Sequence, residues 1–457
     1  MKRVIAIIEN PKYLIIAYVL AMLYIRDVVV DVLQVNNGYL LWNGVTIVIA
    51  VWTAFQLCLL LIKKKFYLDK TQICSIAFIA VTGISTLFIP FRPEGNFSRC
   101  IIWYFLMVYS LYHSVNLPNQ AGKRDITDIL VWIFKQVVLV FFVLNTISIL
   151  LFILYKFGIT IPGFFDLNGS VRSYMGWRGD KLRYYGLYEW ATDCSYRCSL
   201  SIFLTLYLYK KGFYSKLFTI LSVVFAIVMI LLTNSRGALL GLVSAMIYIV
   251  FIFTKKLFPG KKGNRLFFSF VVVGIGLFFG LLLHKYGYLI PLCKTNYPEF
   301  RNAINGITSG RYAMWESAIK TWMKYPLFGW GWTNAPLSMF QNAGMPAYIT
   351  LHNFILDLLV WSGIVGLFLF FGVLVSFSVK VWKNRHVLQQ CNIGWLLAFL
   401  GSVLIQALFN PGLIGENSHI ESLLFWLIFG YLMYFPAPCT DSLNKKITGV
   451  GIKSNCF

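Results

Sequence analysis

The sequence predicts an all-α polytopic membrane protein with about twelve transmembrane helices, and three observations lead to that prediction. Of its 457 residues, 58% are hydrophobic and only 12% are charged, whereas an ordinary soluble protein has about 25% charged residues. The mean hydropathy is +0.71. Apolar runs recur from one terminus to the other and leave no soluble stretch large enough for an independent core. We therefore expect residues 1–457 to form a single polytopic membrane domain.

The positions of the spans follow from the length of these apolar runs. A helix that crosses about 30 Å of hydrocarbon needs about 20 mainly apolar residues. The twelve predicted spans are 13–33, 39–62, 72–91, 100–117, 129–155, 191–209, 215–233, 236–254, 265–284, 352–379, 391–410 and 418–435. Polar residues interrupt the third and the sixth of these spans. Only residues 233–235 join the seventh span to the eighth, which predicts a tight hairpin.

The lysines and arginines predict the orientation of the spans. An even number of spans places both termini on one side, and an excess of basic residues marks the cytoplasmic side. Basic clusters occur on alternate connections, for example at 63–65, 255–256 and 445–446. Both termini are therefore predicted to be cytoplasmic. The net charge of +23 follows this topology, so we expect the lipid bilayer and no nucleic acid as a partner.

Two long connections fall on the predicted outer face. Residues 156–190 form the first, and residues 285–351 form a larger one between spans nine and ten. Each carries more basic than acidic residues, which favours an anionic ligand on this face. The nine cysteines form no CxxC pair, and the outer loops contain no DxD pair. We therefore expect no metal site and no cofactor.

His352 is the first candidate for chemistry, because it lies where the larger outer loop meets the tenth span. An imidazole in this position can be partly desolvated and still reach water, which suits a general base near neutral pH. The same position also suits a histidine that caps a helix at the membrane interface.

Two arginines on the outer side are candidates for binding an anion. Arg236 lies at the outer end of the eighth span, where a guanidinium that cannot lose its charge needs an anion, water or a lipid headgroup. A phosphate group would fit it in a bidentate manner, and snorkelling to the lipid surface is the alternative. Arg311 begins an amphipathic stretch, whose spacing favours a helix lying on or dipping into the membrane surface.

A turn rich in tryptophan and glycine follows this stretch and includes Trp330 and Trp332. Aromatic rings stack on the faces of sugars and also populate the interfacial belts of membrane proteins. Belts are the commoner use of such residues, and a sugar-binding role for these two tryptophans remains open at this point.

The chain resembles the O-antigen ligase and O-antigen polymerase family in three stretches. The first is SRGALL, which begins at Ser235 and contains the candidate arginine of the eighth span. The second is GRYAMW, which begins at Gly310 and is followed by YPLFGWGW. In the third, His352, Asn353, nine residues, Gly363, two residues and Gly366 match the signature H-[NSQ]-x9-G-x-x-G. The resemblance covers 236–366, including the outer loop at 285–351.

A further stretch, LRYYGLYEWATDCS, is similar to an earlier loop motif of this family and contains Arg183. The resemblance implies a metal-independent, inverting glycosyl transfer on the outer face of the bacterial cytoplasmic membrane. The donor would be an oligosaccharide on undecaprenyl pyrophosphate. Arg236 and Arg311 would bind the pyrophosphate, His352 would accept the proton of the acceptor hydroxyl, and Arg183 and Asn353 are further candidates for substrate binding.

The resemblance leaves several activities open. A polymerase passes the chain to another lipid-linked repeat unit, for O-antigen, capsule or exopolysaccharide, whereas a ligase passes it to lipid A-core or another acceptor glycan. The sequence favours the polymerase slightly, because its N-terminal half has no match specific to ligases. A flippase or a chain-length regulator is a candidate partner. An anion or solute transporter is the alternative from another class of protein.

Overall fold

The computed structural model is predominantly helical in the residues that it describes. These residues are 10–32, 38–62, 69–88, 104–116, 123–159, 184–188, 191–233, 235–257, 299, 302, 311–332, 339, 351–384, 393–408 and 420–434. No β-strand occurs among them. The all-α class predicted from composition and hydropathy is therefore confirmed for this part of the chain.

Twelve helices are distinguished within the described residues, and we number them in chain order. The helices are α1 (Pro11–Leu20, continued by a π-helix at Ala21–Val32), α2 (Gly38–Ile62), α3 (Lys70–Phe88), α4 (104–116), α5 (Lys123–Lys156), α6 (Ala191–Lys210), α7 (Lys216–Thr233), α8 (Arg236–Leu257), α9 (Arg311–Trp322), α10 (Phe354–Lys383), α11 (Gly394–Ala407) and α12 (Ile420–Met433). Helix α7 ends at Thr233 and α8 begins at Arg236, so their connection is as short as expected, and the tight hairpin itself stays a prediction.

Eleven of the twelve predicted spans coincide with described helices, and the predicted span at 265–284 lies outside the described residues. Among the described residues, five helices are long and apolar enough to cross a membrane. They are Leu40–Ile62, Lys70–Leu87, Thr127–Lys156, Lys216–Thr233 and Phe354–Lys383. The protein is therefore an integral membrane protein. The total number of spans and the cytoplasmic location of both termini stay predictions.

The most enclosed helices are α6 and α12. Helix α6 packs against α5, α7, α8, α11 and α12. It is the least apolar of the long helices, and it buries Asp193, Arg197 and several serines. Every residue of α12 is buried. In contrast, α2 and α7 expose leucine, isoleucine and valine side chains along much of their length, as expected for helices that face lipid.

Candidate active site

Three stretches of the sequence that were predicted to carry chemistry lie at the beginnings of helices. Helix α8 begins at Arg236, α9 begins at Arg311, and α10 begins directly after His352 and Asn353. The first N–H groups of a helix have no partner within it and form the positive end of its dipole. Such helix ends favour negatively charged groups. The side chain of Arg236 itself lies outside the described part of the chain.

His352 enters α10 in a left-handed backbone conformation. Its φ of 49° is the only positive φ of a non-glycine residue within the described ranges. The helix cap that position alone suggested for His352 is made instead by Asn353, whose Oδ1 accepts the N–H groups of Ile355 at 3.1 Å and Leu356 at 3.2 Å. The imidazole is half-buried. His352 is therefore held in an unusual conformation but does not serve as the cap.

The residue before this histidine is anchored through both of its backbone polar groups. The N–H of Leu351 donates to Oδ1 of Asp357 at 2.8 Å. Its carbonyl accepts the indole N–H of Trp315, with Nε1 at 3.0 Å. Leu351 is 1% exposed, so neither bond has to compete with bulk water. Because Arg311 lies four residues before Trp315, on the same face of α9, this contact also brings the Arg311 helix to the histidine.

Helix α9 is confirmed as a helix, and the structure identifies its buried face. Met314, Ser317, Ala318 and Thr321 are buried, in the i, i+3, i+4, i+7 pattern of a single helix stripe. The helix packs against α10. On another face, Lys320 forms an exposed ion pair with Glu316 at 2.9 Å. One side of α9 is therefore covered by protein, and its location at the membrane surface stays a prediction.

Helix α10 is broken at Gly363, where φ is 64° and ψ is −169°. A break of this kind frees backbone N–H and C=O groups that a continuous helix would pair. The turn at 326–331 supplies the missing partners. Its four hydrogen bonds are Trp330 N–H to Val360 O (2.7 Å), Gly331 N–H to Trp361 O (3.0 Å), Ile364 N–H to Pro326 O (2.9 Å) and Val365 N–H to Leu327 O (3.1 Å).

The glycines of the predicted signature allow this close backbone approach. A Cβ on Gly363 would lie 2.2 Å from the carbonyl oxygen of Leu327. A Cβ on Gly329 of the turn would lie 2.6 Å from the backbone nitrogen of Gly363. At Gly366 a Cβ would lie 2.2 Å from the Ser362 hydroxyl oxygen. Gly363 and Gly329 thus allow the tryptophan-rich turn to lie in the break of α10, whereas Gly366 makes room for the Ser362 side chain of the same helix.

The two tryptophans of the turn differ in exposure. Trp332 is fully buried and packs edge-on against Trp361, with ring centroids 5.0 Å apart. Its backbone N–H donates to Thr86 Oγ1 at 2.8 Å. Trp330 is half-buried, and its indole N–H donates to the carbonyl of Thr321 at 2.9 Å. Trp332 therefore packs within the protein, and the sugar-binding role of both tryptophans stays a prediction.

The segment that follows Arg183 lies against the helix that precedes Arg236. Arg183 itself is outside the described residues. The N–H of Tyr184 donates to the carbonyl of Leu232 near the end of α7 at 3.1 Å, and its hydroxyl donates to the carbonyl of Ser148 on α5 at 2.6 Å. Burial raises the pKa of this phenol, which keeps it protonated as a donor. The segment that begins at Tyr184 is thus held close to the end of α7.

A buried ion pair that the sequence reading missed lies between the innermost helices. Nε of Arg197 on α6 is 3.5 Å from Oε1 of Glu421 on α12, and both side chains are at least nine-tenths buried. The guanidinium also lies 5.8 Å from the ring centroid of Tyr188, whose hydroxyl donates to Asn145 Oδ1 at 2.7 Å. A charged residue within a predicted span was the available signal, because such residues are costly and usually functional.

Helix α12 contacts both α6, which carries Arg197, and α10, which follows His352. Through Glu421 it contacts α6, whose Arg197 lies beside Tyr188 and the segment that follows Arg183. Through Trp426 it contacts α10, because the rings of Trp426 and Phe370 are 5.9 Å apart. Asp357 was missed as well, since it occurs alone within an apolar run. Over the described ranges, no group of three or more His, Cys, Asp or Glu is placed to hold a metal.

The helices define an integral membrane protein, and three of its candidate residues, Arg236, Arg311 and His352, each lie at or just before the start of a helix. Residues 221–371 match the family model described as O-antigen ligase. The match extends from α7 into α10 and includes Arg236, Arg311, His352 and both signature glycines. It confirms the resemblance and supports a function of the O-antigen ligase or polymerase type. A comparison with curated proteins finds no match.

Proposed function

We propose that the protein is a membrane glycosyltransferase of bacterial surface-polysaccharide assembly. It transfers a glycan from undecaprenyl pyrophosphate to the hydroxyl of an acceptor sugar on the outer face of the cytoplasmic membrane. The observation that carries this proposal is the Trp315–Leu351 hydrogen bond, which brings the Arg311 helix to His352 within the segment that matches the family.

The proposed roles of the arginines rest on charge and position. Arg236 and Arg311 are each the first residue of a helix, so a pyrophosphate there would meet a guanidinium and the positive end of a helix dipole. As the glycosidic bond breaks, negative charge grows on the pyrophosphate, and these groups stabilise it. Arg183 is a further candidate for the same anion, because the segment that follows it lies against the end of α7.

The proposed role of His352 is that of a general base. The acceptor oxygen attacks the anomeric carbon and forms the new C–O bond, while the bond from that carbon to the pyrophosphate oxygen breaks. The proton of the acceptor hydroxyl passes to the imidazole, and undecaprenyl pyrophosphate leaves with the bonding electron pair. Attack from the side opposite the leaving group inverts the configuration at the anomeric carbon. Because pyrophosphate is a good leaving group, the reaction needs no metal.

Among the members of this reaction class we favour a polymerase, in which the acceptor is another lipid-linked repeat unit. The N-terminal half of the chain lacks stretches specific to ligases, which supports this choice. A ligase that transfers the chain to lipid A-core or another glycan is the alternative. A transporter is disfavoured, because transporters use broken helices to coordinate their cargo. Here the break in α10 is filled by the backbone of residues 326–331.

The test uses the purified full-length protein in lipid with a synthetic undecaprenyl-pyrophosphate oligosaccharide, and product length is followed on gels. A ladder formed from the donor alone supports a polymerase, and transfer that requires a second acceptor supports a ligase. Transfer should continue in the presence of a chelator. Inhibition that added divalent metal reverses would contradict the metal-free mechanism. Absence of any transfer with either acceptor would contradict the proposal.

A further inference from the structure

We propose that Asp357 is a positioning residue, which holds His352 in its left-handed conformation by accepting the N–H of Leu351. This inference rests on the proposed role of His352 as a general base. It deepens that role by naming the side chain that sets the orientation of the base.

The carboxyl group of Asp357 is buried and its contacts are asymmetric. It is 1% exposed, and Oδ1 accepts the Leu351 N–H at 2.8 Å. Among the described residues, Oδ2 has no hydrogen-bond partner. Burial of a carboxyl group is costly unless its oxygens are hydrogen-bonded. The carboxyl group also accepts the backbone N–H of Asn353. A residue that served only to fill space in this turn would be apolar, so the carboxyl group points to a specific use of its hydrogen bonds to the backbone on either side of His352.

The hydrogen bond to Leu351 controls the backbone immediately before the histidine. A non-glycine residue with a positive φ is strained, typically by about 1–3 kcal/mol, and persists only where its surroundings fix it. On one side of His352, Asn353 is fixed as the cap of α10 by two hydrogen bonds. On the other side, Leu351 is fixed by Asp357 and Trp315. With both neighbours fixed, the backbone of His352 keeps a single conformation.

An alternative role for this carboxyl group follows from its place in the first turn of α10. Asp357 is the acidic residue of that turn, and a negative charge there stabilises a helix through its dipole. The two roles depend on different properties of the side chain. Stabilisation of the dipole needs the charge, whereas positioning of Leu351 needs only an acceptor oxygen. The amide of asparagine retains the oxygen and removes the charge, so the two roles are separable.

The test compares Asp357→Asn with Asp357→Leu in the lipid-reconstituted transfer assay. We expect kcat to stay within threefold of the wild type for Asp357→Asn and to fall at least tenfold for Asp357→Leu. KM for the lipid-linked donor should change less than threefold in both variants, because the carboxyl group does not bind donor. Wild-type kcat in Asp357→Leu, or an equal loss in both variants, would overturn the proposal.

A second pair of variants tests the other anchor of Leu351. Trp315→Phe removes the indole N–H that reaches the Leu351 carbonyl and keeps a large aromatic ring. The matched control is Trp322→Phe on the same helix, whose indole N–H donates to the carbonyl of Pro326 at 3.0 Å. We expect Trp315→Phe to lower kcat several-fold and the control to leave it unchanged. Equal kcat values in the two variants would contradict the shared anchor.

Hydrogen exchange separates this inference from the proposed activity. In full-length protein in lipid nanodiscs, peptides spanning Leu351 and His352 should exchange at least tenfold faster in Asp357→Leu than in the wild type. Asp357→Asn should match the wild type. If no transfer is detected in any preparation, the proposed activity fails, and the exchange rates still test the anchoring of Leu351. Unchanged exchange in Asp357→Leu would overturn the positioning role.

Discussion

Helices α5 and α10 are the two longest helices of the described structure, and they are built differently. Helix α5 has 34 residues and no break. It exposes an apolar stripe from Leu139 through Val143 and Ile147 to Leu150. Helix α10 has 30 residues and is broken at Gly363. Before the break none of its residues is exposed, and after it an apolar stripe begins at Phe368.

This difference shows how a membrane helix can carry a site at one end. In α5 all backbone groups between the ends are paired within the helix, so only side chains are available to neighbouring segments. In α10 the break offers backbone groups to the 326–331 turn, and this turn is joined in sequence to the Arg311 helix. The half of α10 that follows His352 is thereby enclosed by protein, while the other half faces lipid.

The largest expected effect is a loss of activity when His352, which lies just before α10, is changed. His352→Ala should lower the rate constant for transfer by about 10²–10⁴-fold, the usual contribution of a general base. The matched change is Phe157→Ala directly after α5, at its predicted outer end, because this residue is 78% exposed. It should leave the rate unchanged. If the rate for His352→Ala stayed within threefold of the wild type, the start of α10 would not differ from α5 in its importance for activity.

The next effect is on stability, at the break itself. Gly363→Ala places a Cβ 2.2 Å from the Leu327 carbonyl oxygen at a φ of 64°. Because backbone strain and collision add, we expect a loss of about 3 kcal/mol or more in the free energy of unfolding. Denaturant unfolding in detergent measures it. Gly401→Ala is the control, since its Cβ would meet no atom within 4 Å, and an equal loss there would contradict this explanation.

A smaller effect is expected where the turn meets α3. Thr86 Oγ1 accepts the Trp332 N–H at 2.8 Å, so Thr86→Val leaves a buried donor unpaired. The expected cost is about 1–3 kcal/mol of unfolding free energy. Thr146 on α5 bonds only to the Phe142 carbonyl of its own helix, at 2.7 Å. Thr146→Val should therefore change stability by less than about 0.5 kcal/mol. Similar costs for both variants would argue against a special role for the turn.

The smallest effect is expected on the exposed stripe of α5. Leu150 is 55% exposed, so Leu150→Ala should alter the free energy of unfolding by less than about 0.5 kcal/mol. The same detergent unfolding assay measures it. A loss above about 2 kcal/mol, typical of a buried leucine, would mean that this stripe packs against protein and that α5 is not a simple lipid-facing helix.

The positions of the helices could be predicted from sequence, because each depends on local properties. Hydropathy averaged over about 20 residues locates apolar helices, and the spacing of Gly363 and Gly366 identified the family signature. The physical role of Gly363 could not be predicted, since it arises from contact with Leu327 and Phe328, which lie more than 30 positions away along the chain. Asp357 was missed for a different reason, since its partner is close in sequence. Its partner Leu351 becomes significant only once the backbone conformation of His352 is known.

Helix α6 shows that a prediction from hydropathy alone can underestimate a helix with polar residues. Its predicted span was weak because polar residues interrupt it, and it is not among the five helices apolar enough to cross a membrane alone. Residues Ala191–Lys210 nevertheless form a helix, and most of them are buried. Its polar side chains are accommodated because neighbouring helices supply their partners, which a one-dimensional average of hydropathy does not register.

The Arg197–Glu421 pair has a consequence for biosynthesis. About 220 residues separate the two partners, which at about 5–20 residues per second delays their pairing by roughly 10–45 s. During this interval the guanidinium of α6 must be accommodated by the insertion machinery, water or lipid headgroups. Glu421 lies in α12, so the guanidinium of Arg197 gains this partner only after α12 has been synthesised. A nascent chain that stops before α12 should therefore be recognised by membrane quality-control proteases.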